Sequence, residues 1–199
     1  SAMPLAPLVG RMSAAARAEA TELAVSVAGA IGLRTFVLDS RYVPSASMEP
    51  TLLVGDMLLL EKVSFRFSRP ARGEVVCFRP PPALAEGTPQ GACYIKRVVA
   101  VGGDVVRVRD GELLVNGRSP PESRVPVRVG YRLAPTRVPE GHVFVLGDNR
   151  NHSYDSHVWG ALKCDLLIGR PLCRYWPPRR ARGRAAFRAD RHSLRPAPT

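Results

Sequence analysis

YIKRVVAVGGDVVRVRDGELLVNG, Tyr94 to Gly117, decides the fold. In VVRVR the valines alternate with arginines, the two-residue period of a strand with one buried face. RDGEL carries the Asp-Gly pair of a tight hairpin turn at Asp110–Gly111. Outward from this stretch, DMLLLEKVSF, GEVVCF and HVFVLGD are further short runs of apolar residues, separated by Gly, Pro or Asp. Their close spacing predicts a mainly β domain of antiparallel hairpins over residues 39–178. RPPPALAEGTPQGA (residues 79–92) and RSPPESRVP (residues 118–126) are too rich in Pro and Gly for a strand or a helix, and read as exposed loops.

The chain has 199 residues, enough for one domain with a real core, and a formal charge of +12. Seven arginines against one aspartate between Arg179 and Thr199 supply half of that charge. This stretch has no apolar period and reads as a basic disordered tail, residues 179–199. No nucleic-acid motif accompanies it, and a single aromatic, Phe187, makes no pattern of aromatics interleaved with arginines, so nucleic acid is not the expected partner. Cys77, Cys93, Cys164 and Cys173 contain no C-x-x-C, which argues against a zinc site and leaves three disulfide connectivities open.

LAVSVAGAIGLRTFVL, Leu23 to Leu38, is the longest apolar stretch. With 16 residues and Arg34 inside, it falls short of a clean span, and a buried helix and a membrane anchor are both open.

VPSASMEPTL, Val43 to Leu52, places Ser45 and Ser47 between two prolines. A serine hydroxyl is a weak nucleophile without a base. Histidine is one source: His152 and His157 flank the polar segment GDNRNHSYDSHVWG, from which a Ser-His-Asp triad could be drawn, whereas His142 opens a strand and reads as structural, and His192 lies in the tail. Lysine is the other. Only Lys62, Lys96 and Lys163 stand against 26 arginines, and Lys96 sits among Ile95 and Val98 in a strand-like run. A lysine among apolar neighbours loses hydration of its charged form and can become a neutral base; arginine cannot.

PSASMEPTL, GDMLLLEK, YIKRVVAVGGD and GDNRNHSYDSHVWG, in this order, resemble the boxes of the type I signal peptidases, membrane-bound serine proteases with a Ser/Lys dyad. The resemblance runs from about Tyr42 to Trp176 and implies no metal or other cofactor. By it, Ser47 matches the nucleophile and Lys96 the general base. The Ser45 hydroxyl and the Ser47 backbone N–H match the oxyanion hole. Ser153 matches the hydroxyl that orients the amine. Asp148 is expected to pair with Arg97, and Asp155 with His157, where many bacterial members carry Arg. Pro44 and Met48 are the residues expected beside the substrate. DSHVWG with RYWPP looks like the plastid and cyanobacterial branch.

The resemblance also implies one membrane anchor at residues 23–38, preceded by a cis-side segment, residues 1–22, that carries Arg11 and Arg17. The β domain would then face the trans side of a thylakoid membrane or, alternatively, of a bacterial plasma membrane. The partners implied are a lipid bilayer and precursor proteins with cleavable signal peptides, cut after Ala-x-Ala. Ala83-Leu84-Ala85 in the long loop fits that pattern and raises self-cleavage as an expectation. The rivals are a repressor-type Ser/Lys protease, a mitochondrial inner-membrane peptidase, and an inactive membrane domain that binds signal segments. The first lacks the DNA-binding segment it would need here.

Overall fold

The computed structural model describes residues 14–89, 91–120 and 128–187. They form two compact units that divide between Val37 and Leu38. The first is helix α1, Ala14–Phe36. Ala14–Ala16, Ala18 and Ala20 are strong helix formers, so the helix begins well before the apolar stretch. Leu23, Val25, Ile31 and Phe36 are exposed along it. Among the described residues no helix is long and apolar enough to cross a membrane; Arg17, Glu19, Glu22 and Arg34 all lie within α1. Helix α1 begins at Ala14, ahead of the stretch expected as an anchor at residues 23–38, and Leu38 opens strand β1, Leu38–Tyr42. Residues 1–13, with Arg11, lie outside the described residues.

The second unit is the expected antiparallel β domain. Its strands are β1, β2 (Met57–Glu61), β3 (Val75–Phe78), β4 (Tyr94–Val101), β5 (Val105–Arg109), β6 (Glu112–Val115), β7 (Leu133–Arg137), β8 (His142–Leu146), β9 (Leu162–Lys163), β10 (Leu167–Trp176) and β11 (Arg182–Gly183). The larger sheet runs β1-β2-β10-β3-β4-β8-β9, with β11 on β10, and the smaller one β6-β5-β7. Strand β4 is buried at all six residues from Ile95 to Ala100, as its apolar residues on both faces suggest for a central strand, with Lys96 and Arg97 buried among them. Strand β5 alternates: Val106 and Val108 are buried, whereas Arg107 is half-buried and Arg109 exposed. Arg109 pairs with Glu112 across Asp110 (φ 52°) and Gly111 (φ 84°). Both turn residues are left-handed, which is why this hairpin uses Asp-Gly.

One loop reading changes. Pro82–Ala85 forms a one-turn helix, α2, with Pro81 and Pro82 at its start, where a missing N–H costs nothing. Ala83-Leu84-Ala85 lies within that turn and not in the extended form a protease would bind. Residues 121–127 of the second loop lie outside the described residues.

The first part of the basic tail is ordered. Strand β11 pairs with β10, and Arg180 forms an ion pair with buried Asp56 at 3.1 Å. Phe187, 3% exposed, joins the core around Val43, Met48, Leu52 and Leu58. One buried aromatic ring and a paired arginine tie this stretch down against its composition. Residues 188–199, with His192, lie outside the described residues.

Candidate active site

The serine turn is built at the end of β1. The Val43 N–H donates to the Asp56 carbonyl at 2.9 Å and the Gly55 N–H to the Val43 carbonyl at 3.0 Å, which closes the loop at its base. Ala46–Met48 then forms a single 3₁₀ turn, preceded by Ser45 in extended conformation. Met48 (1% exposed) and Leu52 plug the turn into the core. Asp56 is fully buried, accepts from the Leu53 N–H at 2.9 Å, and pairs with Arg174 and Arg180. Of the two residues expected beside substrate, Pro44 is exposed, whereas Met48 faces the core and anchors the turn.

The segment after β8 holds the other side of this turn. Asn149 donates its backbone N–H to the Ser47 carbonyl at 3.1 Å and its side-chain amide to the Ala46 carbonyl at 3.2 Å. Gly147 passes so close that a Cβ there would collide with the Ser47 carbonyl oxygen and with Ser153 Oγ. The hydroxyls of Ser45 and Ser47 lie 3.2 Å apart, and Ser153 Oγ is buried without a hydrogen-bond partner among the described residues.

Lys96 enters from β4. Strand register pairs Arg97 with Leu146, the residue before Gly147, so Lys96 lies beside the place where the chain leaves β8. Lys96 is 4% exposed and pairs across to Val76, which is fully buried. Burial lowers its pKa from 10.5 to about 8, against the opposing pull of Asp155 and then Asp148. Desolvation of the charged form prevails because neither carboxylate is at ion-pair distance.

Both supporting pairs form as expected. Arg97 grips Asp148 with two N–H bonds, at 2.7 and 2.6 Å, and donates to the Gly73 carbonyl at 2.8 Å. Asp155, fully buried, receives His157 Nδ1 on one oxygen at 2.7 Å and the Gly147 N–H on the other at 2.8 Å.

Among the described residues no histidine is hydrogen-bonded to Ser45 or Ser47, whose hydroxyls meet each other; Nδ1 of His142 meets the Glu140 carbonyl, Nδ1 of His152 the Asn149 side chain, and Nδ1 of His157 Asp155. The cysteines are all free. Asn149, Gly147, Asp56, Arg174 and Arg180 shape the site without having been singled out from sequence. Asn149 and Gly147 were inside a quoted box, but nothing in their identity announced that they clamp the serine turn.

Fold and site together define an antiparallel β domain that holds a paired-serine turn beside a buried, desolvated lysine. The family model for signal peptidase, peptidase S26, matches residues 17–176. A probable signal peptidase I-2 of Synechocystis sp. is 47% identical over 148 residues, 74% of this chain and 67% of that protein. Signal peptidase I of Leptolyngbya laminosa is 43% identical over 159 residues, 79% of this chain and 78% of that protein. A probable chloroplastic thylakoidal processing peptidase 2 of Arabidopsis thaliana is 49% identical over 146 residues, 73% of this chain and 40% of that protein.

The chain belongs to the signal peptidase family, peptidase S26, and is an enzyme of the type I class, as its four boxes implied.

Proposed function

We propose that Ser47 and Lys96 are the nucleophile and general base of a serine endopeptidase that removes signal or thylakoid-transfer peptides from translocated precursors. The observation that carries this reading is the buried amine of Lys96 with its pKa near 8. At pH 7.5 roughly a quarter of such amines are neutral, against about one in a thousand at 10.5. The neutral amine takes the Ser47 proton as Oγ attacks the scissile carbonyl. The Ser45 hydroxyl and the Ser47 N–H stabilise the oxyanion, and preorganised donors in a water-poor site are usually the largest catalytic term. The lysine ammonium then returns its proton to the leaving amine. Water, deprotonated by the same amine, hydrolyses the acyl-enzyme. Ser153 Oγ, buried and unpartnered, is suited to orient the amine.

Helix α1 supplies the membrane attachment in this reading: Leu23, Val25, Ile31 and Phe36 are exposed apolar residues along it. The β domain then works on the trans side, in the thylakoid lumen or a bacterial periplasm, where precursor ends emerge. Cleavage follows an Ala-x-Ala site, with Pro44 at the substrate edge.

Ser47→Ala and Lys96→Arg test the dyad on a precursor with an Ala-x-Ala site. Both are inactive if the reading holds, the second although its charge is kept; full activity in either rejects it. Alkaline extraction of membranes tests the anchor. The full chain stays with the bilayer and a chain lacking residues 14–36 leaves it; equal extraction of both removes the anchor.

A further inference from the structure

Tyr131 lies just before β7 and belongs to none of the four boxes. Its ring stacks on the His157 imidazole, with centroids 4.0 Å apart and planes 12° from parallel. The other face of the relation is polar: His157 Nδ1 donates to Asp155 at 2.7 Å, and Asp155 holds the Gly147 N–H at 2.8 Å. Gly147 in turn is wedged against the Ser47 carbonyl and Ser153. A continuous set of contacts therefore runs from Tyr131 through His157, Asp155 and Gly147 to the serine turn.

The need for such a contact follows from the donor. An arginine grips a carboxylate with two parallel N–H bonds and fixes its own plane. An imidazole offers Asp155 one ring N–H and remains free to rotate about that bond. A ring stacked on its face removes this freedom, whether the imidazole is neutral or charged, because both forms keep a proton on Nδ1. The Tyr131 hydroxyl is buried and has no hydrogen-bond partner among the described residues. The ring, not the oxygen, is the working part.

We propose that Tyr131 is a positioning residue for the peptidase reaction. It fixes the plane of His157 and thereby holds Asp155 and the Gly147–Ser153 turn behind Ser47 and Lys96. This rests on the Ser47/Lys96 reading given above.

Tyr131→Phe and Tyr131→Leu in the full chain, assayed in detergent on a precursor, test it. Phe keeps the stack, and kcat stays within about twofold of wild type, since removal of an unpartnered hydroxyl is close to neutral. Leu removes the stack, and kcat falls about 10- to 100-fold with KM nearly unchanged, as expected of lost positioning. In a His157→Arg background the loss from Tyr131→Leu shrinks to about threefold or less, because the second N–H bond replaces the stack.

¹⁵N-histidine NMR gives a readout that needs no turnover. The His157 signal, assigned by its loss in His157→Arg, keeps its Nδ1-bound proton in wild type and Tyr131→Phe, and exchanges it rapidly in Tyr131→Leu. If Tyr131→Leu does not fold, Tyr131→Met takes its place. Equal losses in Phe and Leu, or full activity in Leu, overturn the proposal. So does an unchanged His157 signal in a folded, slow Leu variant. Activity in Ser47→Ala would instead overturn the dyad and leave the NMR result to judge Tyr131 alone.

Discussion

Replacing Lys96 by methionine should change the pH dependence of stability in a defined way. Methionine is unbranched and apolar, and suits a site walled by Val76 and Val98. In the native protein the amine titrates at about 8, in the unfolded chain near 10.5. That gap corresponds to about 3 kcal/mol, to order of magnitude. Below pH 8 both states carry the proton, and the full penalty of burying the charge is present. Between about 8 and 10.5 the unfolded chain binds a proton that the folded one has released, so wild-type stability rises with pH relative to the variant. The advantage of Lys96→Met should therefore narrow by about 3 kcal/mol from pH 7 to 10.5. Urea unfolding of both proteins in mild detergent, followed by tryptophan fluorescence at several pH values, measures it. Parallel stability curves would refute the argument, since they would mean that folding leaves the proton affinity of this amine unchanged.

Ser45→Ala should lower kcat about 100- to 1000-fold with KM little altered, the usual cost of one oxyanion donor; steady-state kinetics on a precursor decides it. Gly147→Ala should abolish cleavage, because its Cβ has no room beside the Ser47 carbonyl and Ser153 Oγ, and a variant with full activity would show that the turn gives way. Asp148→Ala leaves the Arg97 guanidinium buried without its carboxylate and should cost about 3–5 kcal/mol in denaturant unfolding. Phe187→Ala should cost about 3–5 kcal/mol by the same measurement, against almost nothing if the tail stretch were unattached.

The hairpin around Asp110–Gly111 and the central strand β4 were legible because their apolar pattern and turn residues act locally. Strand β10 was not. Its sequence, LIGRPLCRYW, breaks the apolar period with Gly169, Arg170, Pro171 and Arg174. Those arginines are buried because Glu74 and Asp56, remote in sequence, pair with them. The start of the basic tail was misread for the same reason: Arg180 and Phe187 are held by partners far along the chain. At the site, Arg97–Asp148 and Asp155–His157 came from the resemblance and are met in the structure. Burial of Lys96 could be argued from its apolar neighbours alone. Asn149 and Tyr131 could not, since their roles depend on which carbonyl or ring folding brings opposite them. Met48 is buried because an apolar side chain on a 3₁₀ turn turns inward when the core lies beneath it.

The central claim is that an amine is neutral near physiological pH while sitting beside the serine turn. With only three lysines in the chain, ¹⁵N NMR of lysine-labelled protein measures it directly. The resonance that vanishes in Lys96→Met should titrate at about pH 8. A midpoint near 10.5 would contradict the account.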